Sequence, residues 1–163
     1  VLAVPPWGAA DLVPGLTVPD RFHAIVNAHY KIPRPPGAPA ILGVVGGTAE
    51  WIFTFDDRIS VTGSFADAIV DLDREELAAR IWTDVARALN IAAPMPAWQI
   101  VKEKRATFSA TPQQEARRPA ARTGLRNLFL AGDWTRTGLP ATIEGALRSG
   151  ETAAALALRH LSV

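Results

Sequence analysis

Cysteine is absent from this sequence, and with it go disulfides and thiolate metal sites. The absence fits a cytoplasmic protein. No apolar run reaches the roughly 18 residues of a membrane span, so no transmembrane helix is expected. A large net charge is missing too. Lys and Arg number 17 against 16 Asp and Glu, leaving +1, which argues against a general polyanion binder. One stretch departs from that balance: Lys102 to Arg126 holds seven basic residues against two acidic ones. No aromatic residues interleave its later arginines, so it reads as a solvated basic face rather than a nucleic-acid or anionic-lipid patch.

Catalytic signatures are missing as well. There is no Gly-x-Gly-x-x-Gly, no phosphate loop ending Gly-Lys-Ser/Thr, no His-Glu-x-x-His and no Gly-x-Ser-x-Gly. His23, His29 and His160 are scattered and suggest no metal site. Hydrolysis is unsupported, and no catalytic acid or base can be assigned.

What is present is globular. The chain has 163 residues, 48% apolar and 20% charged, enough for a real core. It has no initiating Met and no signal peptide, and Val1 to Val4 already reads as a buried strand stopped by Pro5-Pro6. It is expected to be the later part of a longer polypeptide.

Trp7 to Leu12 suits a short helix closed by Pro14-Gly15, and Val18-Pro19-Asp20 another helical turn. Ala24 to Ile32 alternates as a strand. Pro33 to Pro39 is a stiff hairpin connection. Ile41 to Val45, Glu50 to Phe55 and Arg58 to Ser64 follow as strands, with Gly46-Gly47 and Asp56-Asp57 turning between them. An antiparallel meander of about four strands is expected.

Its cover is a helix over residues 73–90. Asp73 and Glu76 form a plausible capping box, and Leu77, Ile81, Trp82, Val85 and Leu89 make one apolar stripe. Ala97 to Thr107 is a further strand, and Thr111 to Gly124 a polar loop.

The most informative stretch is Asn127 to Ala155. Leu128 to Ala131 fits a short strand covered on both faces. A polar turn opens at Gly132-Asp133, and a helix runs from about Ala141 towards His160, with Pro140 suited to its first turn. The N–H groups of Thr142, Ile143 and Glu144 point back over the turn, where electron-rich atoms would be welcome. Gly145 and Ser149 lie four apart, so a backbone or flat ring can approach that face.

These parts, in this order, resemble the C-terminal flavin-binding signature of the family that includes flavin amine oxidases, protoporphyrinogen oxidases and carotenoid/phytoene desaturases. Within it, Ala131 to Thr135 and Leu139 to Ala146 most resemble the squalene-associated branch, the hydroxysqualene dehydroxylases. Val101 to Thr111 and Val1 to Trp7 add to that likeness. The resemblance implies the later portion of a two-domain FAD-dependent oxidoreductase of α/β and α+β type. Residues 1–15 would be the exit strand of the FAD domain, 16–107 an inserted substrate domain, and 108–163 the returning part of the FAD domain. By the same resemblance Gly132, Asp133, Ala141, Thr142, Ile143 and Glu144 contact FAD. For Asp133 an Asx-turn, and for Glu144 a first-turn acid, are the structural alternatives.

The implied activity is reductive removal of the hydroxyl of an apolar polyprenyl, giving squalene for hopanoid synthesis, with peripheral contact at the inner face of the membrane. The apolar residues Ile41, Val44, Trp51, Phe53 and Phe55 line a pocket or form plain core. The glycine fingerprint for FAD lies outside this sequence, so these residues alone are expected to bind flavin weakly and turn nothing over. Two other outcomes stay open. One is a desaturase or an amine oxidase, the latter needing an aromatic pair for which only Trp98, Phe108 and Trp134 are candidates. The other is a non-catalytic lipid-binding or interaction module.

Overall fold

The computed structural model describes residues 1–161. The chain divides into two compact units, one of Val1–Phe22 with the chain from Thr107 onward, the other His23–Ala106. Among the described residues no helix is long and apolar enough to cross a membrane.

The first elements are α1 (Pro6–Leu12) and β1 (Phe22–Tyr30). The second unit continues with β2 (Ile41–Gly43), β3 (Trp51–Thr54), β4 (Ile59–Gly63), α2 (Arg74–Ala88) and β5 (Trp98–Phe108). The five strands form one sheet in the order β2-β3-β4-β1-β5. The expected meander is therefore only partly realised: β2, β3 and β4 follow one another, but β1 pairs with β4. The reason lies in burial. Ala24, Val26, Ala28 and Tyr30 are all buried on one face of β1, so this strand belongs inside the sheet, whereas β2 is short and exposes Ile41.

The proline-rich segment carries the chain from β1 to that far edge. It is pinned where Arg34 donates its backbone N–H to the Phe55 carbonyl at 3.0 Å and its guanidinium to the Thr54 carbonyl at 2.7 Å.

Asp73 is the N-cap of α2, its carboxylate accepting from the Glu75 N–H at 2.7 Å, and that bond holds its carboxyl below the ordinary range. Glu76 pairs with Arg80 at 2.6 Å. Leu77, Ile81, Trp82 and Val85 are buried against Val26, Ile52, Ile59 and Ile100. Each such side chain contributes about 1.5–3 kcal/mol through apolar burial. The Tyr30 hydroxyl donates to the Ala78 carbonyl at 2.7 Å, tying β1 to α2; burial pushes its phenol well above the usual range. Asn90, in the left-handed region at φ 52°, turns the chain out of the helix.

The other unit is built on the last elements, α3 (Pro112–Ala116) and α4 (Ile143–Leu161). The expected strands at Val1–Val4 and 127–131 are reduced to single bridges, Leu2 with Leu130 in parallel and Arg122 with Phe129 in antiparallel. Ala9, Val18, Phe108, Leu130 and Trp134 form its core. Residues 18–20 form no helical turn, and the loop over 111–124 contains α3, whose N-cap Thr111 accepts from Gln114.

Candidate functional site

The expected site residues lie in two segments, Gly132-Asp133 after the 127–131 stretch and 141–144 at the start of α4. Gly132 sits at φ +147°, and a Cβ there would lie 2.3 Å from Nε1 of Trp134, so only glycine fits the turn. Its carbonyl accepts from the N–H of Thr135 at 3.1 Å and from that residue's hydroxyl at 2.9 Å. Its N–H donates to Oγ of Ser149 at 3.0 Å, and the hydroxyls of Thr135 and Ser149 lie 2.7 Å apart. The turn is thereby fastened to α4 on the face where Gly145, Ser149 and Ala153 are buried. Of the two visitors the sequence allows to this face, the one present is the chain's own backbone.

Asp133 is half-buried. Desolvation pushes its carboxyl above the ordinary carboxylate range, while the N–H groups of Trp134 and of Asp133 itself, and then the charge of Arg118, pull in the opposite direction. These bonds to the local backbone fit the turn role, and the carboxylate has capacity left for a ligand's hydroxyls.

α4 starts at Ile143, two residues later than expected, because Thr142 is its cap. The Thr142 hydroxyl accepts from the N–H of Gly145 at 3.1 Å, and its carbonyl from that of Ala146 at 3.0 Å. Pro140 precedes the helix instead of opening it. Among the described residues, nothing accepts from the N–H groups of Ile143 and Glu144. They stand at the positive end of a 19-residue helix. Ile143 is 83% exposed, and the Glu144 carboxylate pairs with Arg148 at 2.7 Å, so what Glu144 can offer a ligand is its backbone. Ala141 packs on the neighbouring core.

Arg118 is the component that sequence reasoning missed. Its basic stretch reads as a solvated face, yet this side chain is 2% exposed. One nitrogen pairs with Glu115 at 2.9 Å; the other donates to the carbonyls of Asp133 at 3.0 Å and Thr135 at 2.6 Å and to the Thr137 hydroxyl at 3.0 Å. The guanidinium also lies 5.0 Å from the Phe108 ring centroid. Its local sequence offers only the pairing with Glu115, because its other partners come from a turn 15 to 19 residues away. The three aromatic candidates for amine chemistry are occupied in packing: Phe108 and Trp134 are buried, and Trp98 packs on the sheet core.

These two segments thus offer a half-buried carboxylate beside the Gly132 turn and two free N–H donors at a helix start. That donor set fits a ligand with sugar-like hydroxyls and electron-rich carbonyl oxygens, as a flavin has. Among the described residues no group of three His, Asp or Glu comes together that could hold a metal ion.

The sequence profile of the family described as flavin containing amine oxidoreductase matches residues 1–158. The chain is 58% identical over 158 residues to the hydroxysqualene dehydroxylase of Rhodopseudomonas palustris, covering 97% of this chain and 38% of that protein. To the hydroxysqualene dehydroxylase of Zymomonas mobilis it is 54% identical over 160 residues, covering 98% and 39%. The chain thus spans well under half the length of these relatives. A 15-cis-phytoene desaturase from an Oncidium hybrid is 35% identical over 105 residues, 64% of this chain and 16% of that protein. A solved structure described as a protoporphyrinogen oxidase from Exiguobacterium has a TM-score of 0.67 at 12% identity, covering 99% of this chain and 41% of that one. At that identity the likeness shows the fold.

Proposed function

The chain belongs to the flavin-containing amine oxidoreductase family, and from that premise we propose that it forms part of an FAD-dependent enzyme removing the hydroxyl of hydroxysqualene to give squalene. The observation that carries this reading is 54–58% identity, over nearly the whole chain, to proteins named hydroxysqualene dehydroxylase. Identity to the desaturases is 30–35% over about 64% of the chain.

In this reading residues 1–15 and 108–163 belong to the flavin-binding part and 16–107 to a substrate domain. The remaining length of the relatives supplies the dinucleotide-binding half. A bound flavin supplies hydride-transfer chemistry. Gly132 gives the turn its conformation, and Asp133 would accept from ribityl hydroxyls. The N–H groups of Ile143 and Glu144 would be the donors to its electron-rich carbonyl oxygens, and the positive helix end would favour negative charge on it. Thr142 holds that end in place, and Ala141 packs beside it on the core. Arg118 fixes the Asp133 turn. The substrate is a long apolar alcohol, so the enzyme works in peripheral contact with the inner face of the membrane.

The full-length protein, reduced anaerobically and offered hydroxysqualene, is expected to yield squalene. No squalene, with phytoene dehydrogenated instead, would move the assignment to the desaturases. The 163-residue chain by itself is expected to retain flavin weakly; tight stoichiometric retention would contradict the division of the site.

A further inference from the structure

The basic stretch that ends near Arg126 reads as a solvated face, but the fold gathers one of its members into a cluster. Arg122 meets Arg136, from just past the Asp133 turn, and Arg148, from α4, around one cavity of about 440 Å³. All three belong to the unit that contains α4. Thr137 and Thr152 add hydroxyls to the wall, and among the described residues no carboxylate lines it.

The donors of this cavity are only partly used. Among the described residues the ion pairs of this unit are Arg117 with Asp20, Arg118 with Glu115 and Arg148 with Glu144, and Arg122 and Arg136 take part in none. Arg148 gives its Nε to Glu144 at 2.7 Å, which leaves its two terminal nitrogens for another acceptor. The Arg122 guanidinium lies 5.8 Å from the Phe129 ring centroid, and that ring packs with Ala153 and Leu156 of α4, which holds the charge towards the helix. The Thr137 hydroxyl accepts from Arg118 at 3.0 Å, and its own proton has only the Leu139 carbonyl, 3.4 Å away. Three like charges around one cavity repel, and a bound anion relieves that repulsion. Three guanidinium forks match three oxygens, which a phosphate ester has and a carboxylate lacks.

A second cavity, of about 380 Å³, shares Ala120 and Arg122 with the first. Its walls are apolar, with Val13, Leu16, Leu125 and Leu130 among them, and Arg122 is its one charged residue among those described. Leu125 is 55% exposed at this site.

We propose that these paired cavities seat a phosphate ester carrying an apolar chain. Arg122, Arg136 and Arg148 hold the phosphate, and the chain lies along Leu16 and Leu125. The occupant follows from the juxtaposition: a cationic cavity for the phosphate oxygens, an apolar one for the chain, and Arg122 at the join. A bilayer phospholipid and a soluble phosphate ester present the same chemistry here. The site is independent of the reaction proposed above, and none of its three arginines is among the flavin contacts.

The test uses the full-length holoenzyme, whose flavin site is filled. Calorimetric titration with octyl phosphate is expected to show binding that weakens as salt rises from about 0.05 to about 0.5 M, with octanol giving none. The double variant Arg122→Glu/Arg136→Glu is expected to lose about thirtyfold or more in affinity, with flavin content and thermal midpoint unchanged. Leu125→Ser is expected to weaken octyl phosphate about threefold and to leave inorganic phosphate as it was. Vesicles identify the bearer. Retention on phosphatidylglycerol but not on phosphatidylcholine, lost in the double variant, assigns the phosphate to a bilayer lipid. Octyl phosphate binding without retention on vesicles assigns it to a soluble ester, and either result upholds the site.

Three results would overturn the proposal. One is no binding of octyl phosphate by the holoenzyme. Another is wild-type affinity in the double variant. The third is release of flavin in step with octyl phosphate binding, which would make the phosphate site the flavin's own.

Discussion

Arg118 donates to the carbonyl oxygen of Thr135 at 2.6 Å from a site where its side chain is almost fully closed to solvent. One buried guanidinium thus replaces the strand and helix bonds that the Asp133 turn lacks. Arg118→Met would leave the carbonyls of Asp133 and Thr135 without their donor and Glu115 without its partner. Leaving those carbonyls without a donor costs about 1–3 kcal/mol each, whereas the half-exposed Glu115 is solvated once released. Urea denaturation should show that loss. Arg118→Lys, which keeps the charge without the planar fork, should fall between the two.

Gly132 and Gly150 should respond in opposite directions to alanine. At Gly132 a methyl group collides with the Trp134 indole in a backbone region that L residues rarely adopt, so Gly132→Ala should cost about 1–3 kcal/mol or more. It should also break the bond from Trp134 to the Val4 carbonyl, 3.0 Å in the native turn. Gly150 lies inside α4 with open space around it, and Gly150→Ala should stabilise by about 0.5–1 kcal/mol. Thermal melts of the two variants make the comparison.

Asp133 carries a pH signature. Its folded-state carboxyl is raised, chiefly by desolvation, so the folded protein holds this proton more tightly than the unfolded chain. The stability it contributes is complete below the unfolded value of about 3.9 and is lost as pH rises through the raised folded value. Asp133→Asn should remove that decline. Urea midpoints between about pH 3 and 7 should therefore show the wild type losing ground relative to the variant as pH rises. Asp67 should act in the opposite sense: its carboxyl is lowered, first by the bond from His23, so its contribution disappears as pH falls through the folded value.

The two faces of the sheet should differ sharply in stability experiments. Ile81 on α2 is 1% exposed in the core, and Ile81→Ala should cost about 2–5 kcal/mol through lost burial and the cavity left behind. Ile41, on the open face, is 57% exposed, and Ile41→Ala should change stability by less than about 1 kcal/mol. Chemical denaturation of both variants checks the contrast.

Much of this architecture is legible in local sequence because local physics decides it. The apolar spacing of Leu77, Ile81 and Val85 and the cap at Asp73 are enough to place α2, and alternation is enough to place β1 and β4. The Gly132-Asp133 turn followed by a helix start is equally local, because a tight turn demands glycine and a helix start leaves its N–H groups unpaired whatever surrounds it. Strand order is different. Alternation says that β1 has a buried face but not which strand it adjoins, and hydrogen bonds to either neighbour would satisfy its backbone alike.

The burial of Arg118, and the gathering of Arg122, Arg136 and Arg148 around one cavity, depend on contacts between residues distant in sequence. An arginine among arginines reads as solvated until a turn closes over it, and three arginines on separate segments have no shared meaning until packing brings them together. Sequence determined the family and the longer elements, because both are carried by short-range patterns. Tertiary structure alone decided which polar groups are buried, paired or left free, because that depends on what packing brings within about 3 Å of each one.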